Sequence, residues 1–160
     1  MSPLQLFPED SCHYCSQASS FKGFCPVALN DESAAALASV DYRDDQFCNR
    51  RLYTAWDNLK DEKVFFRGID TLEKAGIPGK HLMAYMLIGF DGSETWGRIM
   101  YRLDRMVERG ILPYPMVYDP ARKDLKRFQR WVIRGYYRFI PWKEYDRRNA
   151  KAAAEKATLF

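Results

Sequence analysis

The chain has no long apolar run. The longest, Leu82 to Phe90, falls far short of the roughly 20 residues that a membrane-spanning helix needs, so no membrane partner is expected. Histidine is almost absent. His13 and His81 are the only two, which argues against a histidine acid–base pair, and no Ser-His-Asp constellation can be assembled. There is no G-x-G-x-x-G and no phosphate-binding loop with its lysine. The opening "MSPLQLFPEDSC" has no basic n-region and carries acids where a secretory signal is apolar, so a cytoplasmic protein is expected. The four cysteines, Cys12, Cys15, Cys25 and Cys48, are then not expected to form disulfides.

What is present is apolar and aromatic material enough for one folded domain. Of 160 residues, 47% are hydrophobic and 15% aromatic, which excludes intrinsic disorder for the chain as a whole. The net charge of +4 is mild but unevenly placed: "RKDLKRFQR" and "DRR" within 121–148 are basic, whereas "NDES" and "DYRDD" are acidic. The pattern predicts one basic face rather than a basic protein.

Residues 50–140 repeat one plan three times. "RLYTAWDN" is rich in strand formers and precedes "DEKVFFRGIDTLEKAG", where Val64, Phe65, Ile69 and Leu72 share a helix face. "HLMAYMLIGFD" precedes "SETWGRIMYRLDRMVERG", with Trp96, Ile99, Met100, Leu103 and Val107 at helical spacing. "YPMVYD" precedes "PARKDLKRFQRWVIRGYYRFI", with Leu125, Phe128, Val132 and Phe139 on one stripe. Gly76 and Gly110 fall where helices end in a left-handed residue, and Asp119-Pro120 reads as the N-cap and first position of the third helix. Strand and helix alternating at this spacing predict parallel strands near 52–57, 82–89 and 114–118 with helices packed on one side. The middle strand is apolar throughout, as a buried parallel strand is.

The flanks do not follow the plan. Residues 1–30 form an irregular, cysteine-containing leader, and 143–160 an alanine-rich helical or disordered tail. Three parallel strands cannot close a barrel and leave two edges, so the leader, a partner chain or self-association is expected to cover them.

In parallel α/β folds ligands meet the carboxyl ends of the strands. Those ends carry Asp57 and Asn58, then Gly89, Asp91, Gly92, Ser93 and Glu94, then Tyr118 and Asp119. Gly89 and Gly92 allow a ligand to approach the backbone closely, and the amides of the following helix favour negative charge. Asp91 with Glu94 fits a capping box, which makes both carboxylates structural rather than acid–base catalysts.

The stretch "AGIPGKHLMAYMLIGFDGSETW" resembles the fifth-strand region of the radical S-adenosylmethionine superfamily, in the branch that includes methylthiotransferases and B12-binding members. There a helix ending in "aGi" leads to a strand, a G-(L/F)-P-G-E-T turn and a helix. Gly89, Phe90, Gly92, Glu94 and Thr95 match, Asp91 stands where proline is usual, and Ser93 is an insertion. "RLYTAWDN" and "PYPMVYD" correspond to the fourth and sixth strands, and the likeness covers about residues 31–142. The resemblance implies an α/β fold of three consecutive βα units, forming half of a partial TIM-type (β/α)6 barrel. It also implies part of a site for S-adenosylmethionine and a 4Fe-4S iron–sulfur cluster, with Asn58, Gly89, Asp91, Gly92, Glu94 and Tyr118 as cofactor-binding candidates. The superfamily's C-x3-C-x2-C cluster loop is absent, and Cys12-x2-Cys15-x9-Cys25 stands in its place with His13 nearby. Three thiolates on one loop can bind iron or zinc, so Cys12, Cys15 and Cys25 are metal candidates. The chain thus resembles the later half of such an enzyme and is not expected to be catalytic alone.

A second reading is a nucleic-acid-binding module built on the basic helix 121–138. Arg122, Lys126, Arg130, Arg134 and Arg138 recur every four residues and would line one helix face, with Trp131 and Tyr137 near enough to stack on bases. Lys126, Arg130 and Arg134 are its central candidates.

Overall fold

The computed structural model describes residues 29–146 together with Arg148 and Ala150. The elements run α1 (Asp31–Ser39), β1 (Leu52–Ala55), α2 (Glu62–Lys74), β2 (Leu82–Ile88), α3 (Trp96–Glu108), β3 (Leu112–Val117) and α4 (Lys123–Ile133). The three strands form one open parallel sheet in the order β1-β2-β3, with Leu52 opposite Leu82 and Tyr85 opposite Tyr114. The fold is therefore α/β with consecutive parallel strands, as the threefold repeat predicts.

The helices end where the glycines demand it. Gly76 has φ +93°, its N–H donates to Glu73 O at 3.0 Å, and Ile77 N–H donates to Leu72 O at 2.9 Å. Gly110 repeats this pair of bonds on Val107 and Met106 at φ +70°. Both are Schellman motifs, in which only glycine reaches the left-handed backbone without strain, and each delivers an isoleucine to the core. Ile77 and Ile111 are both buried.

Along β2 the residues Leu82, Ala84, Met86 and Ile88 are fully buried. They share one core with Phe65, Ile69 and Leu72 of α2, Ile99, Leu103 and Met106 of α3, and Leu125, Phe128 and Val132 of α4. The other face carries Tyr53, Met83, Tyr85, Leu87, Leu112 and Tyr114, all partly exposed. Tyr85 stacks on Tyr53 with ring centroids 6.0 Å apart and meets Tyr114 edge-on at 5.2 Å. The core continues past residue 142. Trp142 packs against Phe128 and Trp131, and Tyr145 and Ala150 are buried.

The two edges of the sheet differ. β3 carries Pro113 and Pro115, which lack an amide hydrogen and sit in alternate positions on one side of the strand. Pro115 O accepts from Gln129 Nε2 at 2.9 Å, so this side faces α4 rather than β2. Proline is tolerated in a strand only on such an edge, and here it closes the sheet to further pairing. β1 contains no proline and, among the described residues, pairs only with β2.

Three local expectations are corrected. Asp91 does not share a capping box with Glu94: its carboxylate accepts from Ser93 N and Oγ at 2.8 Å each, closing a local turn. Helix α3 consequently starts later, capped by Thr95, whose Oγ1 accepts from Arg98 N–H. Asp119 likewise closes a turn onto Ala121 N at 2.8 Å, and α4 begins only at Lys123. The third helix does not extend to Phe139. Gly135, at φ +72°, ends it after Arg134, and a short 3-10 turn over Tyr136–Arg138 follows. Phe139 is consequently off the core stripe and 49% exposed.

Candidate functional site at the carboxyl ends of the strands

The carboxyl ends of β1 and β2 are tied together by Arg102 of α3, which is 1% exposed. Its Nη1 donates to Trp56 O and Asp57 O, and its Nη2 to Leu87 O, each at 3.0 Å. Nη2 also pairs with the Glu94 carboxylate. The second Glu94 oxygen accepts from Gly89 N–H at 2.9 Å, and Asp57 Oδ1 accepts from Leu87 N–H at 2.6 Å. Burial pulls the Arg102 guanidinium below its ordinary value, against the opposing pull of Glu94. Burial also raises the Asp57 carboxyl above its ordinary value, opposed by the Leu87 N–H and Arg102. A buried arginine tolerates this position only because carboxylate and carbonyl oxygens surround it. Glu94 is therefore committed through both oxygens to Arg102 and Gly89, and Asp57 holds the Leu87 amide through Oδ1.

Gly89 sits at the end of β2 with φ +76°. A Cβ there would lie 2.4 Å from Leu125 Cδ1, a movable side-chain end, so it is the left-handed backbone, with this contact added to it, that selects glycine. Gly92 has open space around it and no positive φ. Asn58 is exposed, and its carbonyl accepts from Trp56 Nε1 at 2.7 Å.

Between β2 and β3 the same end of the sheet is aromatic and open. Phe90 and Tyr118 are 64% and 59% exposed, and their rings meet edge-on at 5.1 Å. Tyr118 N–H donates to Ile88 O at 3.0 Å, which fixes the backbone that presents the pair. Asp91 and Asp119 flank it in sequence and are exposed.

The structure thus brings Gly89, Glu94 and Asp57 into one buried network and leaves Asn58, Asp91, Gly92 and Tyr118 at the surface of the same end. Arg102 was not among the sequence candidates, although the signal existed: it lies between Ile99, Leu103 and Met106 in the apolar arc of α3, where a charge requires a partner. Phe90 carries no sequence signal beyond its place in the turn motif. Cys12, Cys15 and Cys25 lie outside the described residues. Cys48 is exposed, and among the described residues no group of three or more His, Cys, Asp or Glu side chains is placed to hold a metal ion. No described helix is long and apolar enough to cross a membrane.

For the basic helix, Lys126 and Arg130 lie within α4 and Arg134 caps it, while Arg122 precedes it and Arg138 lies beyond the Gly135 turn. Trp131 is not available for stacking on bases. It is 3% exposed, and its Nε1 donates to Ile140 O at 2.8 Å. Compared with family models, characterised proteins and solved structures, the chain matches none.

Proposed function

We propose that residues 31–142 form the later half of a partial (β/α)6 barrel in a cytoplasmic radical S-adenosylmethionine enzyme, and that they furnish one wall of its cofactor site. The observation that carries this reading is the asymmetry of the sheet. β3 is closed by Pro113 and Pro115 and covered by Gln129, whereas β1 is the edge at which further parallel strands can join. A sheet that ends at β3 and grows from β1 is what the last three units of such a barrel require. The partly exposed face of Tyr53, Met83, Tyr85, Leu87 and Tyr114 supports it, because that face is the interior once a barrel closes.

At the carboxyl end, Phe90 and Tyr118 offer a ring surface to an adenine, and the exposed Asp91 and Asp119 carboxylates suit a cationic sulfonium. Asn58 adds an amide. Arg102, Glu94 and Asp57 act behind this surface by fixing the strand ends from which these groups project. The described residues do not fit an iron–sulfur cluster, and the strands that complete the site lie outside residues 31–142. A reduced cluster, when bound, would supply the electron for cleavage of the S-adenosylmethionine sulfonium, which this wall alone does not perform.

Calorimetry with S-adenosylmethionine, before and after anaerobic reconstitution with iron and sulfide, tests the reading. Weak binding that Tyr118→Ala removes is expected, without formation of 5′-deoxyadenosine. An absence of binding heat under both conditions would sink it. Turnover would show that the leader cysteines hold a working cluster.

A further inference from the structure

The outer surfaces of α2 and α4 carry charge differently. On α2 the exposed Lys63, Arg67, Asp70, Glu73 and Lys74 mix signs, and Asp70 and Glu73 pair with Arg109 at 2.6 and 2.8 Å. On α4 successive side chains are about 100° apart, and Leu125, Phe128 and Val132 point into the core. That leaves Lys123, Lys126, Arg130 and Arg134, with Ile133, on the solvent arc. Among the described residues none of these four cationic side chains has an ion pair or a side-chain hydrogen bond. The only carboxylate of the helix, Asp124, is held by Arg122 at 2.7 Å.

A single-signed arc with no internal partner is complementary to a polyanion. Lys126, Arg130 and Arg134 follow one another at about 6 Å along the helix axis, a regular spacing that suits a repeating charge rather than one bound ion. The apolar face of α4 is spent on the core, and Ile133 alone is exposed among the cations, too little apolar surface for the helix to lie in a lipid interface. Just past the helix, Phe139 is 49% exposed and Tyr137 half-buried under Arg138, which supplies ring surface beside the cations. We propose that this face binds the phosphate backbone of single-stranded nucleic acid, with Lys123, Lys126, Arg130 and Arg134 as the phosphate contacts and Phe139 as a stacking surface. The proposal is independent of the cofactor reading, since α4 presents this arc away from the sheet.

Fluorescence anisotropy of the full chain with a labelled oligouridylate of about 20 nucleotides, longer than one typical single-strand site, tests it. Four phosphate contacts predict a slope of log K on log salt near −2.8, which is about 50-fold in affinity between roughly 50 and 200 mM salt. Arg130→Glu with Arg134→Glu should lower the affinity at least about tenfold and bring the slope to about −1.4 or shallower. Lys63→Glu with Lys74→Glu, an equal charge change on the mixed face of α2, should leave the slope unchanged. Circular dichroism checks that both variants keep their helices. No saturable binding at low salt overturns the proposal, as does equal weakening by Lys63→Glu with Lys74→Glu. Sedimentation with phosphatidylserine vesicles is the second arm: co-sedimentation without oligonucleotide binding overturns it in favour of a lipid surface.

Discussion

The two halves of the sheet's carboxyl end have been built in opposite ways. Between β1 and β2 the groups around Arg102 are held by one another: Arg102 by three carbonyls and Glu94, Glu94 by Arg102 and Gly89, and Asp57 Oδ1 by Leu87. Between β2 and β3, a few residues away, two aromatic rings stand more than half exposed with acids beside them. The first half is a clamp that holds strand ends in register, and the second leaves ring surface open to solvent. A carboxylate at the end of a parallel strand is therefore not by itself a sign of chemistry. What distinguishes the two halves is whether the groups there have already satisfied one another.

The sharpest way to break this contrast is to remove the clamp. Arg102→Met keeps the length and apolar stem but leaves Glu94 buried without its cation and three carbonyls without their donor. Breaking a buried pair from one side costs about 3–5 kcal/mol. Urea unfolding should show a loss in that range, and Arg102→Met combined with Glu94→Leu should recover part of it. A loss under about 1 kcal/mol would mean that the clamp is not what holds the strand ends.

Gly89 sits at the boundary between the halves, and its replacement should cost next most. An alanine there must adopt φ +76° and displace Leu125 Cδ1 from 2.4 Å. Backbone strain of this kind costs about 1–3 kcal/mol. The thermal midpoint of Gly89→Ala should fall accordingly, and Gly92→Ala, with open space around it, should shift it far less. Equal shifts would mean that the turn as a whole, rather than the left-handed backbone at Gly89, selects glycine.

Much of this architecture was legible in the sequence, and the reasons are local. The period of the apolar residues and the glycines at 76 and 110 mark the βα units, because a Schellman motif is a sequence-local device. The carboxyl end was less legible. Asp91, Glu94 and Asp119 all satisfy the pattern of a helix cap, but a side chain that can cap can also close a turn, and the competition is decided by neighbours. Ser93 captured Asp91, and Arg102, from the next helix, captured Glu94. The basic stripe is shorter than its sequence spacing for a similar reason: the spacing of four continues past Gly135, but the helix does not.

A smaller effect separates the halves by pH. Burial raises the Asp57 carboxyl above its usual value, whereas the exposed Asp91 is held below it by hydrogen bonds from Ser93. Because the folded state binds the Asp57 proton more tightly than the unfolded chain does, the contribution of this group to stability is fully present below pH 3.8. It declines as pH rises through the folded value and is level above it. Asp57→Asn retains an acceptor for Leu87 N–H and does not titrate. The stability of the native chain relative to this variant should therefore fall as pH rises from about 4, read from urea midpoints across a pH series. A relative rise over the same window would mean that attraction to Arg102 outweighs burial.

The smallest effect on stability is expected from the open half, and its smallness is the point. Phe90 and Tyr118 pack against each other but are exposed at 64% and 59%, so most of their area already faces water in the folded state. Replacing both with serine removes an edge-on ring contact worth about 0.5–1.5 kcal/mol when buried, and less here. Unfolding free energy should change by about 0.5 kcal/mol or less, as for other surface positions. Association should change much more. The pair lies beyond Leu87 and Met116, which are neighbours across the two strands, so the apolar surface runs from the open sheet face onto the carboxyl end. Contiguous apolar surface of this kind drives self-association when no partner covers it. Light scattering of the native chain should show species heavier than a monomer at high concentration, and the double serine variant should shift them toward monomer. A monodisperse native monomer would mean that this surface is already covered within the chain. A loss of several kcal/mol in the variant would instead make the rings part of the core, and the contrast between a closed and an open half would fail.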